Sequence, residues 1–161
     1  MSTFEGKLVG IYIAGKKREP LHEIETVEAL PGRGLAGDRY CLQEGTFTKP
    51  GSPDREVTLI EIEALEALAR EANLNLKPGE ARRSLVTRGV PLNHLIGRDF
   101  SVGEVLLRGI RLCEPCDHLE SLTTKGVKSG LCHRGGLRAQ ILQGGTLRTG
   151  DVVRPMSAPP R

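Results

Sequence analysis

Short runs of alternating hydrophobic and polar residues are the dominant pattern along the chain, and such alternation predicts half-buried β-strands. Twenty glycines and ten prolines punctuate the sequence, and turn residues at this density favour many short strands. The predicted strands are residues 7–13, 23–29, 57–60, 81–90, 137–142, 146–148 and 152–154, together with a hairpin over residues 100–107. The pattern therefore predicts a mainly β fold, either a barrel or a sandwich of short strands.

One segment changes from the period of a strand to that of a helix. Beginning near Glu61, apolar side chains recur three and four residues apart, while charged side chains occupy the other face. The apolar positions are Ile62, Leu65, Leu68, Ala69 and Ala72. The sequence predicts one helix of several turns here and a short helical turn over residues 91–97.

The length of the chain, 161 residues, favours one hydrophobic core. We predict a single domain over residues 1–156, followed by a flexible tail over residues 157–161. No apolar run approaches the ~18 residues of a membrane helix, and the N-terminus lacks a basic stretch followed by an apolar one. The chain is therefore predicted to be cytoplasmic, with reduced cysteines suited to metal, sulfur or redox chemistry.

Composition and charge narrow the class of ligand. The net charge is +3, aromatic residues make up 3% of the chain, and tryptophan is absent. A protein that binds single-stranded nucleic acid places stacking rings within a basic groove, and this sequence has no such interleaving. We therefore predict no nucleic-acid or membrane partner, and instead a small anionic ligand held by a few arginines.

Two cysteines and their charged neighbours follow directly after a predicted strand. Pro115 cannot donate a hydrogen bond to a sheet, so the strand should end before it and leave Cys116 in a loop. Arg111 and His118 are near in sequence, and neighbouring cations favour the reactive thiolate form of cysteine. We predict a functional role for Cys116 and a buried position for Cys113, since free cysteines commonly pack as small hydrophobic residues.

Two arginine-containing segments are candidates for binding the anion. A glycine-rich loop contains Gly37-Asp38-Arg39, in which the carboxylate would orient the guanidinium. Consecutive N–H groups in such a loop can also form an anion-binding nest, although an ordinary surface turn is an equally good interpretation. Arg82, in the predicted strand 81–90, is either an anion ligand or a charge that protects the edge of a sheet.

Several motifs occur in a characteristic order along the chain. They are Gly37-Asp38-Arg39, 57–61 with the helix that follows, Arg82 with Leu85-Val86, 95–103, Pro115-Cys116, Gly135-Gly136-Leu137, Gly144-Gly145 and Gly150-Asp151. Taken together they resemble the MOSC family, named for the C-terminal domain of molybdenum cofactor sulfurase. The resemblance implies a β-barrel of short strands with a few helices. It also implies a protein that binds the molybdenum cofactor or carries sulfur, and some members reduce N-hydroxylated compounds.

The resemblance assigns roles to particular residues. The characteristic cysteine of the family falls on Cys116, which would ligate molybdenum or carry a persulfide, and a thiolate is a soft ligand suited to either. Family basic residues fall on Arg39 and Arg82. These arginines would meet the pterin phosphate together with the loop at Gly37 and Asp38, because forked donors and backbone N–H groups suit a phosphate.

One position departs from the family pattern. Ser84 stands where the family often has asparagine, and it offers a hydrogen bond of shorter reach.

The resemblance leaves open whether the chain is an enzyme, either a molybdenum-cofactor-dependent reductase or a sulfur transferase. The N-terminal domain of the larger reductases and the desulfurase domain of the sulfurase do not precede these motifs. Any cysteine desulfurase or redox partner would therefore be a separate protein.

Zinc is an alternative to a reactive thiol. Cys113, Cys116, Cys132 and His133 are ligands of the kinds that zinc takes, and they would make the chain a zinc-stabilised, non-catalytic binding domain. The adjacency of Cys132 and His133 counts against this set, because neighbouring ligands on one ion strain the backbone. A dithiol redox pair of Cys113 and Cys116 is a further alternative, although that motif normally opens a helix in a thioredoxin-like context.

Overall fold

The architecture is mainly β, as predicted, and the computed structural model describes residues 3–42 and 52–156. The strands are β1 (Gly6–Ile13), β2 (His22–Ile24), β3 (Thr26–Leu30), β4 (Gly34–Leu35), β5 (Val57–Glu61), β6 (Leu85–Arg88), β7 (Asp99–Val102), β8 (Val105–Leu112), β9 (Leu137–Gln143), β10 (Gly145–Arg148) and β11 (Val152–Pro155). The α-helices are α1 (Ile62–Ala72), α2 (Asp117–Leu122) and α3 (Val127–Gly130). Short 3-10 helices occur at Pro53–Arg55, Pro78–Ala81 and Leu92–Leu95. The predicted tail, 157–161, lies outside the described residues.

Seven of these strands close into a barrel. The order around it is β1, β6, β5, β9, β8, β7 and β11, and β11 pairs again with β1 through Gly6 opposite Val153 and Lys7 opposite Val152. Within the described barrel, neighbouring strands are antiparallel except β5 and β6, which are parallel and connected through α1. The predicted barrel of short strands with a few helices is confirmed, and its closure removes the exposed edges of an open sheet.

The predicted strand at residues 23–29 is in fact two strands with different partners. β2 extends the barrel sheet by pairing with β1, whereas β3 pairs with β10 and β4 in a separate three-stranded sheet. Glu25 lies between them, and its carbonyl accepts a hydrogen bond from the Thr149 N–H at 2.9 Å. Because the alternation of polar and apolar residues continues through the bend, the sequence pattern did not reveal the break.

Two hydrophobic clusters hold the elements together. One fills the barrel and includes the fully buried Leu8, Ile11, Leu59, Phe100, Leu107 and Leu137. The other joins β5 and β6 to the three helices and includes Ile60, Leu65, Leu68, Val86, Leu119, Val127 and Leu131. Full burial of one such side chain contributes about 1.5–3 kcal/mol, so the apolar faces of the helices fix them against the barrel.

Helix α1 confirms the predicted change of period. Its buried face contains Ala64, Leu65 and Leu68, and it ends at Asn73, whose left-handed backbone lets its N–H reach the Ala69 carbonyl. Helices α2 and α3 were not predicted from sequence. With 6 and 4 residues respectively, they are too short to display a helical period.

Two glycines hold the segment after β8 against the start of β9. A Cβ atom at Gly135 would lie 2.6 Å from the Cys113 carbonyl oxygen, and one at Gly136 would lie 2.1 Å from the Leu59 carbonyl oxygen. Gly136 also has a φ of +119°, and its carbonyl accepts a hydrogen bond from the Cys113 N–H at 2.7 Å. Only glycine permits such close contact between the two backbone segments. The contact and the hydrogen bond together position the backbone that leads to Cys116.

Candidate functional site

A small cavity beyond the end of β8 brings together residues from distant parts of the chain. Its volume is about 40 Å³, far below the ~300–1,000 Å³ typical of small-molecule sites. Its wall includes Arg39, Arg82, Arg83, Cys116, His118 and Arg138. The structure therefore places the predicted thiol and both predicted arginines, Arg39 and Arg82, around one cavity, with two further arginines beside them.

The two neighbouring cysteines have different environments. Cys116 is partly buried, is the residue that precedes α2, and packs beside the helical cluster with its side chain on the cavity wall. Cys113 is 2% exposed, as predicted, and its carbonyl accepts a hydrogen bond from Arg83 Nη2 at 3.0 Å. Of the two thiols, Cys116 is therefore the one that a ligand can approach.

Asp38 orients Arg39 and does not line the cavity. The Asp38 carboxylate accepts hydrogen bonds from Arg39 Nη1 at 3.1 Å, from the Ala14 N–H at 3.1 Å and from the Tyr40 N–H at 3.3 Å. The Arg39 guanidinium also lies over the Tyr40 ring, 4.6 Å from its centroid. Asp38 and Arg39 are 1% and 4% exposed. Gly37, with a φ of +84°, allows the turn that leads into this pair but does not reach the cavity.

Arg82 lies before a strand, not within one, which corrects the prediction of a strand over 81–90. It follows the 3-10 helix Pro78–Ala81 in a left-handed conformation, with φ of 60°, so strand alternation does not decide where its side chain points. Its Nη1 donates to the Glu19 carbonyl at 2.6 Å, and its own carbonyl accepts from Arg39 Nη2 at 3.5 Å. Burial, and then the neighbouring Arg39 charge, lower the pKa of Arg82.

Arg83 braces the backbone around Cys116, a role that the sequence did not reveal. The side chain is 8% exposed, and its guanidinium donates to three carbonyls. These are Gly135 at 2.7 Å from Nε, Cys113 at 3.0 Å from Nη2 and Ala81 at 3.4 Å from Nη1. Arg83 thus ties the segment after β8, the start of β9 and the approach to β6 into one unit.

Arg138 is the residue of the cavity that most directly indicates an anionic ligand. It projects from β9, is 9% exposed, and its Nη1 makes one long hydrogen bond, of 3.4 Å, to the Asp54 carbonyl. Its buried Nε has no hydrogen-bond partner among the described residues. A buried charge with an unused donor is costly unless an anion meets it. A basic residue inside an apolar strand was the only signal for it in the sequence.

Ser84 lies apart from the cavity. It is 1% exposed, its N–H donates to Thr58 Oγ1 at 3.1 Å, and its carbonyl accepts from the Tyr12 N–H at 2.7 Å. The structure therefore does not bring Ser84 together with Arg39, Arg82 and Cys116. Its backbone joins β6 to the neighbouring strands.

A larger groove of about 510 Å³ adjoins the cavity at Arg82, which lines both. Tyr12, Arg18, Leu21, Lys77, Gly79 and Leu122 are among its walls. This volume is within the ~300–1,000 Å³ typical of small-molecule sites. Burial lowers the pKa of His118 in the cavity wall, and the charges of Arg18, Arg82 and Arg39 lower it further. The cavity and the groove therefore share the charge of Arg82, and the groove is also lined by Glu23 and Glu80.

The sequence profile of the MOSC domain matches residues 47–154. The chain belongs to the MOSC domain family. Membership supports a molybdenum-cofactor-related or sulfur-related MOSC domain in general. A search of curated proteins finds no match to this MOSC chain. Among the described helices of the MOSC chain, none is long and apolar enough to span a membrane.

Crystal structures of other proteins share this MOSC fold at low sequence identity. The YuaD protein from Bacillus subtilis is 17% identical, with a TM-score of 0.77 and coverage of 98% of each chain. YiiM from Geobacillus stearothermophilus is 13% identical, with a TM-score of 0.72 over 94% of this chain and 75% of that one. YiiM from Escherichia coli is 18% identical, with a TM-score of 0.66 over 98% and 71%. At this identity the likeness shows the fold.

The chemistry of the cavity fits the cofactor associated with MOSC domains. Its phosphate requires charge-assisted donors, and Arg138 holds a buried Nε without a partner in the described residues. Its metal is soft and suits a thiolate, which Cys116 can supply from the cavity wall. The residues of the cavity are therefore of the chemical types that such a molecule would require.

The predicted zinc set is not assembled in the structure. Within residues 3–42 and 52–156, the group of potential metal ligands is Glu114, Cys132 and His133, with neither Cys113 nor Cys116 among them. Cys113 is held in the interior by the contacts of its backbone, whereas Cys132 is exposed. The ligand atoms of Cys113 and Cys116 are not in the group that lies within 4.8 Å of one another.

Proposed function

We propose that this MOSC protein binds the molybdenum cofactor, with Cys116 as the ligand to the metal and Arg39, Arg82 and Arg138 as the residues that hold its phosphate. The convergence of one accessible thiol and several arginines on a single cavity carries the proposal. A cavity of about 40 Å³ is far smaller than the ~300–1,000 Å³ typical of small-molecule sites. The bulk of the cofactor therefore belongs in the adjoining groove of about 510 Å³.

The protein side chains have distinct tasks in this proposal. Asp38 holds the Arg39 guanidinium in one orientation, so its free donors are positioned before the phosphate arrives. Arg83 and the glycine pair fix the backbone that carries Cys116. When bound, the cofactor would supply two-electron redox chemistry, for which reduction of an N-hydroxylated compound is the proposed class. Reduction would need electrons from a separate redox partner.

Sulfur transfer is the second candidate function. Cys116 is partly buried and lines a cavity rich in guanidinium groups, so its thiol lies where a sulfur donor or an anionic ligand can approach it. A persulfide on Cys116 would receive its sulfur from a separate cysteine desulfurase. The two candidates use the same thiol, but they leave different species on the isolated protein.

Native mass spectrometry of the protein, purified from cells that make the molybdenum cofactor, tests both candidates. We expect the mass of the chain plus one molybdenum cofactor, and dissociation of that cofactor on denaturation. One added sulfur atom on Cys116, located by peptide mapping, would favour the sulfur carrier instead. A chain that carries neither species, and that still binds neither after incubation with purified cofactor or with a desulfurase and cysteine, would contradict the proposal.

Arg82→Ala is expected to weaken cofactor binding by roughly 10–100-fold, the equivalent of one charge-assisted hydrogen bond of about 1.5–3 kcal/mol. The free energy of unfolding should change by no more than about 1 kcal/mol, because the lost bond to the Glu19 carbonyl is a single one. Titration of cofactor-free protein with purified cofactor, followed by urea unfolding, measures both quantities.

Arg88→Ala is the matched control for Arg82. Arg88 belongs to β6 and forms an ion pair with Glu66 at 2.9 Å on the exposed surface. Its replacement by alanine removes one positive charge, as the replacement of Arg82 does. An equal loss of affinity in both variants would indicate a long-range charge effect. Unchanged affinity in the Arg82 variant would remove Arg82 from the site.

A further inference from the structure

A second group of ligand-type side chains lies beside the cavity and plays no part in the proposed function. The Glu114 carboxylate, the Cys132 thiol and the His133 imidazole each offer one ligand atom, and these atoms lie within 4.8 Å of one another. Glu114 follows β8, whereas Cys132 and His133 follow α3. The group therefore joins two loops that are distant in sequence.

The contacts around His133 hold it against Glu114, next to Cys132 in the chain. The Glu114 carboxylate contacts His133 twice, accepting from the backbone N–H at 2.8 Å and meeting Nδ1 at 2.9 Å. Asn93 Nδ2 donates to the His133 carbonyl at 2.7 Å. These contacts maintain His133 in a left-handed conformation, with φ of 63°, which is uncommon for a residue with a side chain. This backbone lets adjacent residues, Cys132 and His133, serve one centre.

The donor set selects the class of metal. Thiolate sulfur, imidazole nitrogen and carboxylate oxygen are the three ligand types of zinc sites, whereas Ca²⁺ and Mg²⁺ require oxygen ligands. Three protein ligands leave the fourth tetrahedral position for water or another molecule. All three residues are exposed, so an ion from solution can reach them without a change of fold.

We propose that Glu114, Cys132 and His133 form a zinc-binding site, separate from the cofactor thiol. Glu114 also lines the Cys116 cavity, so a bound ion would fix this wall of the cavity and offset the charge of its carboxylate. It would also link the loop after β8 to the loop before β9. The site has a structural and electrostatic role in this proposal, and it stands whether or not the cofactor binds.

Cobalt titration of the full-length, metal-free protein tests the site, because Co²⁺ replaces Zn²⁺ in such sites and reports a thiolate ligand by its charge-transfer absorption. We expect one Co²⁺ per chain, an intense thiolate-to-cobalt band, and displacement of that band by Zn²⁺. Cys132→Ser should abolish the band. Glu114→Gln and His133→Ala should each weaken binding at least tenfold, and Zn²⁺ should raise the Tm of the parent protein but not that of His133→Ala.

Two other cysteine variants make the test specific. Cys116→Ser and Cys41→Ser should retain the cobalt band at full intensity, which separates this site from the cofactor thiol and from the buried Cys41 thiol. A band that persists in Cys132→Ser, or that disappears in Cys116→Ser, would overturn the assignment. The absence of any stoichiometric binding by the folded parent protein would overturn the site itself.

Discussion

Cys116→Ala is expected to abolish retention of the molybdenum cofactor while leaving the protein folded. The variant removes the accessible thiol of the cavity, and the other thiol in its wall, that of Cys113, is 2% exposed. Because Cys116 is only partly buried, truncation to alanine should reduce the free energy of unfolding by about 1 kcal/mol. Molybdenum content per chain, measured by elemental analysis, and urea unfolding give the two results.

Cys41→Ala is the control for this prediction. Cys41 is 5% exposed and lies outside the cavity, so its truncation should leave molybdenum content unchanged. Full molybdenum content in the Cys116 variant would show that another group ligates the metal. If both variants lost the metal in proportion to a loss of folded protein, the effect would be one of stability, and Cys116 would have no special role.

Arg83→Met is expected to destabilise the protein by roughly 3 kcal/mol or more. Methionine keeps much of the aliphatic stem but leaves the Gly135, Cys113 and Ala81 carbonyls without their donor. An unsatisfied buried polar group costs about 1–3 kcal/mol, and relief of the desolvated charge offsets part of the sum. Urea unfolding of the parent and the variant, fitted with a common m-value, measures the difference in the free energy of unfolding.

The same Arg83 variant should lose cofactor by a different route from the Cys116 variant. The Cys116 thiol is intact in this variant, but the backbone around Cys113 has lost its hydrogen bond from Arg83. We therefore expect molybdenum content to fall because the segment that carries Cys116 is less well ordered. Arg88→Met is the control, because Arg88 makes an exposed pair and should change stability by no more than about 1 kcal/mol. If Arg83→Met also changed the free energy of unfolding by no more than about 1 kcal/mol, the three carbonyls would be accepting hydrogen bonds from water instead.

Much of the barrel could be predicted because several of its strands, such as β7 (Asp99–Val102), are half-buried, and half-burial imposes alternation on the sequence. The hairpin over residues 100–107 became β7 and β8, and the helical period near Glu61 became α1. The break at Glu25 could not be predicted, because a change of hydrogen-bonding partner leaves alternation intact. The short helices α2 and α3 were missed because they are too short for a period to develop.

The candidate site was predictable where local chemistry is decisive. Pro115 marks the end of strand pairing and so drew attention to Cys116. Arg138 was not predictable, because its place in the cavity depends on how β9 pairs with β5 and β8. The different roles of Arg82 and Arg83, which both line the cavity, were likewise hidden, since the sequence does not show that Arg83 donates to three carbonyls.

The pairing of β1 with β11 has a consequence for how the barrel forms. The two strands that complete the ring, Gly6–Ile13 and Val152–Pro155, are nearly 150 positions apart, as Gly6 opposite Val153 illustrates. During synthesis β1 cannot pair with β11 until the residues of β11 have left the ribosome. Contacts of such long sequence separation slow folding, so closure of the ring between these two strands is expected to be a late step.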